Sequence, residues 1–143
     1  MSVPRLSVAI IAAFMLMLNA CSRNSDSTLS APDAYAMVQS GELTLIDVQR
    51  PDEWKKTGVA QGALHIDMSS TQGEAGFIRQ VSDKVHGDKN APIGLISQAG
   101  NRSENARQTL HAAGFTQVYN IKEGMDGSSA GPGWIAHKLP VKP

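Results

Sequence analysis

Short apolar runs of strand length, alternating with segments of helical spacing, dominate the sequence after residue 30. Residues 43–48 (LTLIDV) are almost continuously apolar, which is typical of a strand buried on both faces of a parallel sheet. The apolar runs cover residues 43–48, 63–66, 92–97 and 115–120. This order predicts right-handed crossovers and an α/β fold, in which helices cover both faces of a central parallel sheet of about five strands.

Four helices are predicted, one before the first of these strands and three between successive strands. Ser30 is a hydroxyl N-cap followed by a proline and an acidic residue, which marks the start of the first helix. The last helix carries alanine and leucine on one face and is ended by Gly114. The predicted helices cover residues 30–40, 51–56, 74–81 and 103–113.

Size, charge and cysteine content limit the function classes. The 143 residues, 41% of them hydrophobic and 18% charged, suit one globular domain. Thirteen Lys and Arg residues against thirteen Asp and Glu give a formal net charge of zero, so no overall field attracts nucleic acid. Cys21 is the single cysteine, which excludes an intramolecular disulfide, a thiolate zinc site and an iron–sulfur cluster. We expect neither a metal ion nor a cofactor.

The first twenty residues have the organisation of a secretory signal peptide. One arginine precedes an uncharged apolar run at residues 6–18. At about 1.5 Å per residue this run is too short for the bilayer core of about 30 Å. It ends in an LNAC motif at Cys21, which resembles the lipobox of bacterial lipoproteins. The resemblance implies that residues 1–20 are removed and that Cys21 is lipidated.

Lipidation implies a domain division and a location. Residues 21–29 are then the lipidated cysteine and a flexible tether, and residues 30–143 form one domain. Acyl chains on Cys21 would hold the protein to a membrane, so we expect an exported, lipid-anchored protein on the periplasmic side. Ser22, in place of an acidic residue, resembles the sorting pattern for the outer membrane. The alternative is ordinary secretion, with Cys21 an incidental residue near the cleavage site.

The chemistry is concentrated where the strand at 92–97 meets the next helix. A strand end, a loop containing glycine, an arginine and a helix start make backbone N–H groups converge, and the helix dipole adds positive potential. We therefore predict a site for a small anion. The candidate residues are Ser97, Gln98, Ala99, Gly100, Asn101, Arg102 and Ser103. The alternative for Arg102 is a surface ion pair with Glu104 or another nearby acidic residue.

This loop resembles the active-site loop of the rhodanese family, in which a cysteine is followed by four residues, an arginine and often a serine. Family segments also resemble residues 45–54 (LIDVQRPDEW), residues 62–66 (GALHI) and a closing region over 114–141, in the family's order. The resemblance covers residues 30–141 and implies a single rhodanese-like domain of the sulfurtransferase family. By position, Ser97 replaces the cysteine that carries the persulfide.

Three further departures from the family pattern surround the loop. Gln49 stands where an arginine is usual, and Val59 where a histidine is usual. Polar contacts around the first two strands are therefore expected to differ from those of the family. Residues 124–134 (GMDGSSAGPGW) are longer than the corresponding family segment, which predicts a remodelled rim beside the loop.

A serine at position 97 removes the family's nucleophile. A cysteine thiolate takes up sulfane sulfur because its surroundings lower the pKa of the thiol. A hydroxyl is not ionised near neutral pH and forms no stable persulfide. A serine nucleophile would need an adjacent base, and no histidine stands in a triad-like motif. The four histidines are His65, His86, His111 and His137.

The sequence therefore predicts a rhodanese-like protein without persulfide chemistry, which binds a small oxyanion such as thiosulfate or sulfite, or a protein partner. The alternative is an active thiosulfate-type sulfurtransferase. This alternative requires that Ser97 is an engineered replacement, or that its hydroxyl takes part in other chemistry. We expect Asp47 to accept backbone N–H groups at a strand end, and Trp54 and Trp134 to pack in the core or rim.

Overall fold

The computed structural model describes residues 27–70 and 72–143, so the predicted signal peptide and Cys21 lie outside the described residues. Within that part of the chain no helix is long and apolar enough to cross a membrane. The helices are α1 (Ala31–Gln39), α2 (Pro51–Thr57), α3 (Gly73–Lys84) and α4 (Asn101–Ala112), with a 3₁₀ turn at Met68–Ser70. The strands are β1 (Thr44–Asp47), β2 (Val59–Ala60), β3 (Leu64–His65), β4 (Ile93–Ile96), β5 (Val118–Asn120) and β6 (Val141–Lys142).

The central sheet is parallel and has four strands in the order β3-β1-β4-β5. This confirms the predicted α/β fold, with four parallel strands where about five were expected. A second sheet, formed by β2 and β6, is antiparallel, with Val59 opposite Lys142, and was not predicted. Two-residue strands are too short to show the alternation by which strands are recognised in a sequence.

The central sheet separates two hydrophobic cores. Ile46 of β1 belongs to the core with Phe77 of α3 and Leu110 of α4, whereas its neighbour Leu45 belongs to the core with Trp134. Ala31 and Ala34 of α1 lie in this second core. Because successive strand residues point to opposite faces, burial on both faces accounts for the almost unbroken apolar character of residues 43–48.

Helix α4 begins at Asn101, two residues earlier than predicted. Gly100 lies in the left-handed region with φ +89°, and a Cβ there would collide with the carbonyl group of Lys122. Only glycine meets both conditions. The chain thus turns directly into the helix, so Asn101 and Arg102 belong to its first turn rather than to a loop.

Residues 27–29, at the end of the predicted tether, are paired with β5. The backbone N–H of Asn120 donates to Ser27 O (2.8 Å), and that of Leu29 donates to Asn120 O (3.0 Å). Residues 27–29 are therefore part of the folded domain and not of a flexible tether. Ser30 caps α1 as expected, since its Oγ accepts the N–H of Asp33 at 3.2 Å.

Candidate anion-binding site

The hydroxyl of Ser97 lies at the centre of the predicted cradle. Ser97 follows β4 directly and is 1% exposed. Its Oγ accepts backbone N–H groups from Gly100 and Ser103, both at 3.2 Å. The convergence of N–H groups expected from the sequence is therefore present, and two of these donors point to the side chain of residue 97 itself.

A buried hydrogen-bond chain continues from Ser97 through Ser103 to Asn120. The oxygens of Ser97 and Ser103 are 2.9 Å apart, and Ser103 Oγ lies 2.7 Å from Asn120 Oδ1. Ser103 Oγ also lies 3.2 Å from Gly100 O. Asn120 Oδ1 and Gly100 O can only accept, so they use the single hydroxyl proton of Ser103, and the proton between the serines belongs to Ser97. The Ser97 hydroxyl thus accepts two hydrogen bonds and donates one, and this side chain is a satisfied neutral group.

Asn120 was not predicted as part of the site. Its amide nitrogen donates to Gly100 O at 3.1 Å and to Glu104 Oε2 at 3.2 Å. The side chain is fully buried and fixes both the glycine turn and the first turn of α4. A polar residue at the end of a predicted strand was the available signal, but its partners lie elsewhere in the chain.

Arg102 forms a two-point ion pair with Glu53, at the start of α2, and not with Glu104. Its Nη1 lies 2.6 Å from Glu53 Oε2 and its Nη2 lies 3.3 Å from Oε1. Glu104 instead pairs with Arg107 at 2.8 Å. The hydrogen bond from Arg102 holds the pKa of Glu53 below its ordinary value, against the opposing effect of burial. Glu53 was not predicted as a site residue, although it lies in the PDEW segment.

A small pocket of about 160 Å³ opens beside Ser97. Within the described residues, no acceptor receives the backbone N–H groups of Gln98, Ala99, Asn101 or Arg102. These groups and the guanidinium of Arg102 supply positive potential, while Glu53 offsets part of it. The lining residues are Glu53, Ser97, Gln98, Ala99, Asn101 and Arg102.

The segment at 124–134 is hydrogen-bonded to the loop that follows β4. The backbone N–H of Met125 donates to Ser97 O (2.9 Å), and that of Asp126 donates to Gln98 O (3.0 Å). In return, Gln98 Nε2 donates to the carboxylate of Asp126 at 2.8 Å. The rim and the loop therefore form one hydrogen-bonded unit.

Asp47 and Gln49 form a buried polar floor near the ion pair. The carboxylate of Asp47 accepts the N–H of Gln49 at 2.9 Å, as expected for a strand-end acid, and that of Trp54 Nε1 at 3.4 Å. Asp47 Oδ2 and Gln49 Nε2 are buried without a partner among the described residues. Burial, only partly offset by these hydrogen bonds, raises the pKa of Asp47 to about 7.

The described histidines do not form a catalytic triad with Ser97, since none is hydrogen-bonded to it. His65 contacts the ring of Trp54, and partial burial lowers the pKa of its imidazole to about 4. His137 is hydrogen-bonded to Glu123 at 2.9 Å. His86 and His111 are exposed. Trp134 is fully buried, which confirms the expected packing role.

Comparison with known proteins agrees with this geometry. Residues 30–130 match the model of the rhodanese-like domain. An uncharacterised protein of Rickettsia conorii is 28% identical over 127 residues, with 81% of this chain and 97% of the relative covered. An uncharacterised protein of Rickettsia prowazekii is 24% identical, with 88% of this chain and 98% of the relative covered.

Solved structures with the same fold include proteins named for sulfur transfer. A polysulfide-sulfur transferase homodimer from Wolinella succinogenes has a TM-score of 0.60 and 29% identity, with 80% of this chain and 77% of that chain covered. A human single-domain sulfurtransferase has a TM-score of 0.55 and 23% identity, with 68% and 90% covered. On the match over residues 30–130, which is most of its length, the chain belongs to the rhodanese-like domain family.

Proposed function

We propose that this protein is a rhodanese-family receptor for a small oxyanion and does not transfer sulfur through a persulfide. The observation that carries the proposal is the hydrogen bonding of Ser97. Its Oγ accepts two backbone N–H groups and donates to Ser103, and it has no base within hydrogen-bond distance among the described residues. The position that would polarise a thiolate thus holds a neutral oxygen.

The anion would bind in the pocket beside Ser97. The unpaired N–H groups of Gln98, Ala99, Asn101 and Arg102 belong to residues that line it. A volume of about 160 Å³ admits thiosulfate or sulfite. Because Glu53 offsets the charge of Arg102, we expect weak binding, with a dissociation constant of about 1 mM.

Thiosulfate:cyanide sulfur transfer tests the missing nucleophile. The purified protein should be inactive, whereas Ser97→Cys should gain activity, because the N–H groups of Gly100 and Ser103 would stabilise a thiolate there. Ser129→Cys is a matched control, since it places a thiol on an exposed segment beside the loop. Sulfur transfer by the serine protein, or a sulfane sulfur found on residue 97 by mass spectrometry, would overturn the proposal.

Calorimetric titration tests the receptor itself. Thiosulfate and sulfite should bind the unchanged protein at millimolar concentration, and Arg102→Gln should weaken both. Chloride at equal ionic strength is the control for screening. Absence of heat with either oxyanion across this range would remove the binding proposal, whatever the result for Ser97→Cys.

The competing function is an active sulfurtransferase that works without a cysteine at position 97. The observation in its favour is the 29% identity to the Wolinella succinogenes polysulfide-sulfur transferase. The same transfer assay decides between the two functions, because the competing one requires activity in the serine protein.

We further propose that the protein is a lipoprotein anchored through Cys21 on the periplasmic side, with the outer membrane as its destination. The support is the sequence order of an apolar run, the LNAC motif and a polar stretch. Mass spectrometry of the membrane-extracted protein should find an acylated Cys21 as the first residue. Cys21→Ser should prevent acylation, and an unmodified secreted product from the unchanged gene would contradict the anchor.

A further inference from the structure

A larger cavity of about 550 Å³ adjoins the candidate site on the other side of the loop. It lies between the first turn of α4 and the segment at 128–130. Cavities of this size accommodate small organic ligands. Thiosulfate or sulfite would leave it largely empty. Its lining includes Ala99, Asn101, Glu104, Lys122, Ser129 and Ala130.

The two cavities are neighbours around the same residues. Ala99 and Asn101 line both of them. One ligand with two chemically different ends could therefore occupy both, with the loop between them. A ligand in the larger cavity alone would still touch the residues that form the smaller one.

The outer wall of the larger cavity is fixed by hydrogen bonds. Ser128 Oγ donates to Lys122 O at 2.9 Å, and the backbone N–H of Ser128 donates to Gly131 O at 2.9 Å. Gly127 has φ +94°, and a Cβ on it would lie 2.6 Å from Pro132 O. The wall is thus built from a tight, glycine-dependent turn, and a preformed wall lowers the entropic cost of binding.

The free polar groups of this cavity include three hydrogen-bond donors, of which the Lys122 ammonium is positively charged. Lys122 is exposed, and in the described part of the chain its ammonium has no acidic partner. Asn101 and Ser129 likewise have side chains without a hydrogen bond there. The one acidic wall residue, Glu104, is already neutralised by Arg107 at 2.8 Å. The cavity therefore favours a negatively charged group.

We propose that the larger cavity binds the carboxylate end of an organic thiosulfate, R–S–SO₃⁻, whose sulfonate lies in the smaller pocket. The proposal rests on the proposed function and names the ligand class for the same site. Lys122 would recognise the carboxylate, and the amide of Asn101 and the hydroxyl of Ser129 would add hydrogen bonds. The ligand's carbon chain would pass over Ala99.

Calorimetric titrations with three probes separate the contributions of the sulfonate, the organic group and the carboxylate to binding. Thiosulfate tests the small pocket, 2-aminoethyl thiosulfate adds an organic group without a carboxylate, and S-sulfocysteine adds the carboxylate. We expect S-sulfocysteine to bind about two- to fivefold tighter than 2-aminoethyl thiosulfate, as for one exposed ion pair.

Two variants test whether the tighter binding of S-sulfocysteine depends on the larger cavity. Lys122→Gln should remove the advantage of S-sulfocysteine and leave thiosulfate binding unchanged, whereas Lys84→Gln, an exposed lysine at the end of α3, should change neither. Ala130→Trp places a large side chain in the cavity and should exclude both organic probes while thiosulfate still binds.

The outcomes distinguish the two proposals. If thiosulfate fails to bind the unchanged protein, the proposed function fails. If thiosulfate binds but S-sulfocysteine binds no tighter than 2-aminoethyl thiosulfate, the carboxylate subsite is wrong and the proposed function stands. Unchanged binding of S-sulfocysteine in Lys122→Gln and in Ala130→Trp would likewise reject the cavity as its site.

Discussion

Arg102 and Glu53 form a two-point ion pair across the mouth of the candidate site, with Nη1–Oε2 at 2.6 Å and Nη2–Oε1 at 3.3 Å. The side chain of Glu53 is 7% exposed and that of Arg102 is 31% exposed. The arginine that could bind an incoming oxyanion is therefore already held by an internal carboxylate. Any external anion competes with Glu53 for the guanidinium.

Glu53→Gln should strengthen oxyanion binding, because the amide keeps the shape of the side chain and removes the competing negative charge. We expect the affinity for thiosulfate to rise about three- to tenfold, which is typical of gaining one charge-assisted contact. Asp52→Asn is the matched control, since this exposed acid contacts Arg50 and not Arg102. An affinity equal to that of the unchanged protein would show that Glu53 is not the competing ion.

Ser97→Ala should destabilise the fold, because the buried N–H groups of Gly100 and Ser103 lose their acceptor. Leaving buried donors unsatisfied costs about 1–3 kcal/mol, measurable by urea denaturation. Ser129→Ala, at an exposed hydroxyl without a hydrogen bond among the described residues, should change stability by less than about 0.5 kcal/mol. Equal stability losses in the two variants would contradict the role given to the Ser97 oxygen.

Asp47 should make the fold less stable as the pH rises through the range between its unfolded and folded pKa values. Burial raises the pKa from 3.8 to about 7. Within this range the unfolded chain ionises while the folded protein keeps its proton, so stability falls by up to about 1.4 kcal/mol per pH unit. Below about pH 4 and above about pH 7 the effect levels off.

Asp47→Asn isolates this effect from the other titrating groups. The asparagine can still accept the N–H of Gln49, but it does not ionise. Denaturation at about pH 5 and about pH 8 should show that the unchanged protein loses more stability between these values than the variant does. Parallel pH profiles for the two proteins would mean that Asp47 titrates at its ordinary pKa.

Local sequence pattern predicted the scaffold and the position of the loop. The apolar run at 43–48 and the capped helix after Ser30 are local features, and both elements form where expected. Gly100 lies at the turn between β4 and α4, and its φ of +89° lets the backbone turn directly into the helix. Such signals are readable because the residues that produce them are neighbours in the chain.

The partners of the loop could not be predicted in the same way. Glu53 lies 49 positions from Arg102, and Asn120 lies 17 positions from Ser103. No regular spacing in the sequence relates these residues, because their contacts arise only when β1, β4 and β5 lie side by side. The sequence therefore left open whether Arg102 binds an anion or pairs with an acidic residue, and the acid that folding brings to it is Glu53 and not the neighbouring Glu104.

Glu123 ties the rim segment to the start of α1, and its removal provides a further test of the architecture. Its carboxylate accepts N–H groups from Ala31 (2.6 Å) and Gly133 (2.8 Å), and His137 Nε2 lies 2.9 Å away. Burial alone would raise the pKa of this side chain. The hydrogen bonds from Ala31, Gly133 and His137 outweigh burial and lower the pKa.

Glu123→Gln should loosen the rim, because an amide presents one acceptor oxygen where the carboxylate presents two. At about pH 7 we expect a loss of about 1.5–3 kcal/mol in unfolding free energy, with faster amide hydrogen exchange over residues 124–137.

The effect of Glu123 on stability also depends on pH. Because the folded pKa of Glu123 lies below the unfolded one, the stabilisation is present above the ordinary Glu pKa and lost as the pH falls through the folded value. The difference between Glu123→Gln and the unchanged protein should therefore shrink in acid. Glu42→Gln, at an exposed position, is the control, and equal exchange rates in both variants would contradict the role of Glu123.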